Sequence, residues 1–355
     1  MPRISKKKIV VVQTKKGFFI LKPFVIIGQR IQSFKSRRPH HSFMLTRRRD
    51  YARSLELPGY IAFTHYVNKT IWQHKKVFIW LAVIYGALST ILIGIGSQDT
   101  YSTLTSTLQE TGSQLFQGNV GELGKAGLLF VSIASSGLTA TPTEGQQIYT
   151  VLIGLLIWLT TIWLLRNLMA GHKVKMRDGL YSAGAPIIST FLVSLLMVIQ
   201  LIPLGIAVIA YSAASNTGLL DSGVAAMLFW ITTILLGVMS LYLITSTFFA
   251  MIIVTLPGMY PMKAIRTAGD MVVGRRMRIL LRILWMFLCV IAAWAVILIP
   301  FILLDSGLKH VWTQIEGVPI IPVVLLALGT FSFIWTASYV YLLYRRVVDD
   351  DAKPA

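Results

Sequence analysis

Residues 257–284, PGMYPMKAIRTAGDMVVGRRMRILLRIL, put Lys263, Arg266, Arg275, Arg276, Arg278 and Arg282 against the single acid Asp270. Long apolar runs flank the stretch on both sides, about 223–254 before it and 283–304 after it. A basic break between two such runs is the signature of a loop held on the cytoplasmic side of a membrane. Composition agrees over the whole chain. Hydrophobic residues make up 55% of 355, charged residues 13%, and mean hydropathy is +0.69. Soluble domains carry about 25% charged residues. So little charge cannot cover a water-facing surface, and lipid is the expected solvent for most of the chain.

Six runs reach the roughly 20 apolar residues that a spanning helix needs: about 77–96, 147–165, 185–211, 223–254, 283–304 and 319–344. Pro203 and Pro300 fall inside the third and fifth, where each removes a backbone donor. Basic residues alternate from loop to loop. They crowd the segment before the first span, the segment Arg166 to Arg177, the stretch quoted above and Arg345-Arg346. The intervening loops carry Asp99, Glu110, Glu122, Glu144, Asp221, Asp305 and Glu316 against Lys125 and Lys309. The pattern predicts an all-α, polytopic protein of a bacterial cytoplasmic membrane, with six spans and both termini in the cytoplasm. Residues 58–346 form the membrane domain and 347–355 a cytoplasmic tail.

Charge is concentrated at the front. Residues 1–76 hold 18 of the 33 Lys and Arg residues but only Asp50 and Glu56 of the acids, a net +16. No cleaved signal is expected there, because Lys6-Lys7-Lys8 precedes only the short run Ile9 to Val12. Residues 1–57 read as a basic cytoplasmic arm. Its apolar stretch 18–31 could lie on the membrane, and Arg37-Arg38-Pro39-His40-His41 and Arg47-Arg48-Arg49 form an anion-binding cluster. Anionic phospholipid is the expected partner, at about 1 kcal/mol per basic residue near the surface. Nucleic acid is disfavoured, since no zinc spacing or recognition module surrounds the cluster.

Between arm and first span, Tyr60, Phe63, Val67 and Ile71 recur at helical spacing with Lys69, Lys75 and Lys76 beside them. This predicts an interfacial elbow helix with aromatics at headgroup depth and lysines reaching phosphate. In the outer segment 97–146, the run 126–138 is too short to span and reads as a re-entrant piece, an interfacial piece or a cap.

The sequence carries few groups suited to chemistry. The six predicted span cores contain no Asp, Glu, Lys, Arg or His, whereas proton relays and ion-coupled carriers place such groups inside the membrane. Ala134-Ser135-Ser136-Gly137 superficially resembles a rhomboid-type serine motif, but no later span supplies the histidine base that such a serine requires. His40, His41, His65, His74 and His172 show no metal-ligand spacing, and no Walker A loop is present. The lone Cys289 precludes an intrachain disulfide. Gln200, mid-span, reads as a helix–helix hydrogen bond, and Gly154, Ser189, Ser194, Gly237, Ser240 and Gly329 as close-packing positions. No catalytic, cofactor-binding or metal-ligating residue is assigned.

Within the opening stretch, a helix from Pro261 would turn Met262, Ile265, Ala268 and Val272 to lipid, with Lys263 and Arg266 toward phosphate. Gly274 would stop it. Arg275, Arg276, Arg278 and Arg282 then lead into the next span, with Arg275, Arg278 and Arg282 on one face. Lipid-headgroup contact and positive-inside anchoring account for these charges. The functional reading is a docking site for a cytoplasmic protein partner over 259–282.

Ala264-Ile265-Arg266-Thr267-Ala268, followed by Gly274-Arg275-Arg276 directly before a span, resembles a pattern in bacterial six-span membrane domains. These include the domain attached to some glycerophosphodiester phosphodiesterases. The elbow, then Trp72, Lys75-Lys76 and Phe78-Ile79-Trp80, fits the same layout over about 60–346. The chain has no phosphodiesterase catalytic domain, so the resemblance implies a membrane module and not hydrolysis. The loop is also similar to that of permease subunits of ATP-driven transporters, which dock an ATPase through Glu-Ala-Ala and a following Gly. Lys263-Ala264 departs from that acidic start. The expectation is a non-enzymatic membrane organiser or accessory module, the alternative being a membrane-spanning transporter subunit.

The topology makes a direct prediction. In a Cys289→Ser background, cysteine at Gln114 should label with an impermeant maleimide in intact cells, and cysteine at Ser42 only after lysis. The opposite pattern would overturn the layout.

Overall fold

A computed structural model of the chain describes residues 57–93, 143–216, 223–311 and 320–351. All lie in one compact unit, residues 52–355. The basic arm through Glu56, with Arg47, Arg48 and Arg49, and the run 126–138 fall outside the described residues.

Among the described residues every regular element is a helix: α1 (Tyr60–Gln73), α2 (Lys75–Leu92), α3 (Glu144–Met169), α4 (Met176–Ala183), α5 (Ile187–Asn216), α6 (Gly223–Ile253), α7 (Pro261–Val272), α8 (Arg276–Val311) and α9 (Ile320–Asp351). Six of them, α2, α3, α5, α6, α8 and α9, are long and apolar enough to cross a membrane. The fold is that of a multi-pass membrane protein. Several spans outrun the expected boundaries. The fifth begins at Arg276 and runs through Arg278, Arg282 and Asp305 to Val311, so Asp305, expected in a loop, is a buried helical residue. The sixth takes in Val347 to Asp351, so the expected tail is helical up to Asp351.

Local chemistry sets the breaks. His74 alone separates α1 from α2. At the start of α3, Thr143 and Gln146 form a reciprocal capping box, Thr143 Oγ1 accepting from the Gln146 amide and Gln146 Oε1 from the Thr143 amide. The same Gln146 donates through Nε2 to the Ile93 carbonyl at 2.8 Å, tying α3 to the end of α2. Pro261 opens α7 at a position where its missing N–H costs nothing. The chain leaves α7 through Gly274 at φ 81°, as expected for a helix stop at a glycine in the left-handed region.

Packing joins sequence neighbours as hairpins and brings the last helix back onto the first three. α5 and α6 form one long hairpin, α8 and α9 another, and α9 also lies against α2, α3 and α1. α7 packs on α6. Along α5 the helix continues through Pro203. One residue on, the Leu204 N–H donates to Ser240 Oγ on α6 at 3.1 Å, and Gly237 faces Leu204. Gln200 Oε1 accepts from Thr247 Oγ1 at 2.6 Å, the interhelical bond expected of it. A Cβ at Gly329 would meet nothing within 4 Å, so no close approach requires a glycine there.

Two expected lipid faces instead point into the protein. Ala264, Ala268 and Val272 of α7 are fully buried, while Met262 is exposed. Small residues there let α7 approach α6 closely, the usual device where dispersion drives helix association. On α1, Phe63, Val67 and Ile71 are buried as well, leaving Tyr60 and Trp72 outward. The main core draws on α1, α2 as far as Ile93, α3 from Ile153 onward, Val193 of α5, the later halves of α6 and α9, the first half of α8, and α7. A separate cluster of Trp294, Ile321, Leu325 and Leu328 joins α8 to α9 further along. The outward apolar side chains of α5 and α6, such as Ile209, Val224 and Leu235, are the lipid-facing surface that such helices require.

α4 is held to α3 by a glycine. A Cβ at Gly179 would sit 3.0 Å from two Leu164 side-chain atoms, and Leu164 is fully buried. Gly179→Ala should therefore cost about 1–3 kcal/mol through overpacking. Gly269→Ala on α7, where a Cβ meets nothing within 4 Å, should instead gain about 0.5–1 kcal/mol. Thermal unfolding in detergent should separate the two variants in opposite directions from wild type.

Candidate functional site

Apart from Lys309 near the far end of α8, the basic residues of the described helices gather at one end of the bundle. α2 and α8 begin there, α3, α6 and α9 end there, and α1, α4 and α7 lie across it. Three contacts from distant parts of the chain fix the arrangement. Arg166 bonds Thr255, Arg282 bonds the Pro58 carbonyl, and Arg346 stacks on Tyr66 at 5.1 Å.

The expected headgroup residues divide into two sets. Lys69, Lys75, Lys76, Lys263, Arg266 and Arg278 are exposed. Arg276 is half-buried, its guanidinium 4.0 Å from the centre of the Tyr242 ring. Arg275 and Arg282, expected to face lipid or a partner with Arg278, are instead 2% and 6% exposed. A helix that starts at Arg276 places Arg282 almost two turns into the protein, where the side chain works as a structural clamp.

Arg282 donates to the carbonyl of Pro58, at the entry to α1. Its guanidinium lies 4.2 Å from the Tyr60 ring centre and 5.8 Å from that of Phe63. A carbonyl and two aromatic faces thus take its charge, and a planar guanidinium suits this stacking better than an ammonium. Two further bonds hold the same helix. Trp285 Nε1 donates to Thr64 Oγ1 at 3.0 Å and Trp335 Nε1 to Asn68 Oδ1 at 2.7 Å. Phe63 meets Tyr339 edge-on at 4.9 Å. The elbow helix is part of the protein core and leaves its one lysine, Lys69, exposed.

A second arrangement went unmarked in the sequence. A cleft of about 420 Å³ opens beside the end of α3, bounded by the α4–α5 corner and the turn after α6. That turn is Leu256-Pro257-Gly258-Met259. The Met259 N–H donates to the Leu256 carbonyl at 3.2 Å, with Gly258 at φ 73°. Proline second and a left-handed glycine third are what a type II turn demands. Arg166 lines the cleft and is anchored by Thr255, donating from Nη1 to its carbonyl at 3.2 Å and from Nη2 to its Oγ1 at 2.5 Å. Ser182, Ser189 and the first turn of α5 line the other wall. Sequence reasoning used Arg166 only to orient a loop. The available signal was an arginine ending a long apolar run, together with a Pro-Gly turn ending another.

Among the described residues, no three His, Cys, Asp or Glu side chains come together as a metal site. No protein-family model, curated protein or solved structure matches the chain.

The clamp is open to test. Arg282→Lys keeps the charge but loses the planar contact to Tyr60 and the guanidinium bond to Pro58. A hydrogen bond to a charged group is worth about 1.5–3 kcal/mol, so amide exchange over residues 60–73 should quicken by about tenfold or more. Arg266→Lys, on an exposed side chain, should leave it unchanged.

Proposed function

We propose that this chain is a non-enzymatic organiser or accessory module of a bacterial cytoplasmic membrane that gathers anionic phospholipid around its basic end. The observation that carries the reading is the exposed set Lys69, Lys75, Lys76, Lys263, Arg266 and Arg278. These cations share one end of the bundle with the outward apolar side chains Tyr60, Trp72 and Met262. Amphipathic helices with cations beside aromatic and aliphatic residues suit the headgroup layer of an acidic leaflet. The alternation of basic loops supports a cytoplasmic position for this end and for both termini. Anionic phospholipid is likewise the proposed partner of the basic arm 1–57, with Arg47, Arg48 and Arg49. The resemblance of residues 60–346 to six-span bacterial membrane domains supports a module without a catalytic step of its own.

A protein partner at 259–282 would use the same outward face of α7, because its other face is spent on α6. Charge alone serves lipid, whereas a docking site built on guanidinium geometry distinguishes Arg from Lys.

In nanodiscs of mixed phosphatidylglycerol and phosphatidylcholine, the protein should concentrate phosphatidylglycerol in its annulus. Joint Lys263→Gln, Arg266→Gln and Arg278→Gln substitution should reduce that excess, at about 1 kcal/mol of headgroup attraction per charge. High salt should reduce it too, as the Debye length falls to about 3 Å at 1 M. Arg266→Lys with Arg278→Lys should leave the lipid excess intact. An annulus indifferent to both the Gln substitutions and salt would contradict the proposal.

A further inference from the structure

We propose that the cleft beside Arg166 is a binding site for a single organic phosphate, the phosphate of an anionic glycerophospholipid headgroup or of a free phosphate ester. It deepens the lipid reading above by assigning one tightly held ligand, distinct from the diffuse annulus that the exposed cations attract.

Three independent features converge on it. The first is a held but uncompensated cation. Arg166 is half-buried, and it donates to the carbonyl and hydroxyl of Thr255, both neutral. Among the described residues no carboxylate pairs with it; its electrostatic neighbours are the phenols of Tyr341 and Tyr344. A guanidinium has five N–H donors; two go to Thr255, and Tyr341 engages the side chain with a further hydrogen bond. The rest of the fork, on a group already fixed in place, can meet phosphate oxygens.

The second feature is the volume. A cleft of about 420 Å³ falls within the roughly 300–1,000 Å³ of small-molecule sites. It exceeds what a few ordered waters need. The third is the chemistry of its walls. Ser182 and Ser189 bring hydroxyls, while Leu159 and Trp163 on α3 supply an apolar flank. The α5 N-terminus, near Pro186 and Ser189, adds the positive end of a 30-residue helix. Polar groups on one wall and apolar groups on the other suit a ligand with a charged head and a greasy or glycerol remainder. The Pro257-Gly258 turn closes the rim, and its glycine at φ 73° keeps a side chain from entering at that point.

The test uses the full chain in phosphatidylglycerol–phosphatidylcholine nanodiscs, transferred to detergent and followed by native mass spectrometry. Wild type should retain one phosphatidylglycerol, or one glycerol 3-phosphate when that soluble ester is supplied instead. Arg166→Gln removes the fork, and Ala185→Trp fills the cleft from an exposed wall position while leaving Arg166 and Thr255 in place. Each should lower occupancy by about tenfold or more. The Lys263, Arg266 and Arg278 Gln variant should keep the bound molecule while losing its annular excess, which separates a failure of the cleft from a failure of the lipid-gathering reading. Retention of phosphatidylglycerol alone would assign the lipid as the source, and retention of glycerol 3-phosphate alone the soluble ester. A wild type that retains neither, or an Ala185→Trp variant that retains the ligand at wild-type occupancy, would overturn the site.

Discussion

Hydrocarbon offers no hydrogen bonds, so each amide that enters the bilayer must find its partner inside the protein. Helices meet that demand along their length but not at their breaks. In this bundle side chains from other helices reach the breaks. Gln146 donates to the Ile93 carbonyl at the end of α2, Arg166 to the Thr255 carbonyl beyond α6, and Arg282 to the Pro58 carbonyl ahead of α1. Ser240 accepts from the Leu204 amide beside Pro203. All four bonds join segments distant in the chain. The same groups that satisfy orphaned backbone therefore also set which helices lie together.

This division of labour gives the arginines two roles. Arg166 and Arg282 are anchored within the protein, and their bonds shape the turn after α6 and the seat of α1. Arg266 and Arg278, with Lys69, Lys75, Lys76 and Lys263, remain outward. Sequence position alone does not separate these groups, since Arg278 and Arg282 are one turn apart on α8.

The spans were legible because apolar length is itself the physical requirement for crossing lipid, and Gly274 was legible because a left-handed stop tolerates few other residues. Span ends were not, because charge was read as a boundary. Arg166, Arg282 and Asp305 each sit in a helix that continues past the apolar run. Faces were harder still. Ala264, Ala268 and Val272 are as suited to lipid as to α6, and hydropathy cannot choose between two apolar surroundings. Phe63, Val67 and Ile71 pose the same ambiguity on α1. The cleft was invisible for another reason: its walls come from residues near 163–166, 182–189 and 254–259, and no local pattern links them.

The division between the two apolar clusters has a mechanical consequence. The main core binds α1, α7 and much of the spans, reaching Ile93 at the far end of α2, but it includes α6 only from Leu241 onward. Between Gly223 and Met239 no residue of α6 is buried. Stiffness therefore falls along the molecule. The basic end resists deformation as a packed solid does, whereas the far part of the α5–α6 hairpin is steadied chiefly by α5 and by surrounding lipid. The far part of α6 is thus supported from one side, whereas the arginine-bearing end is packed among several helices at once.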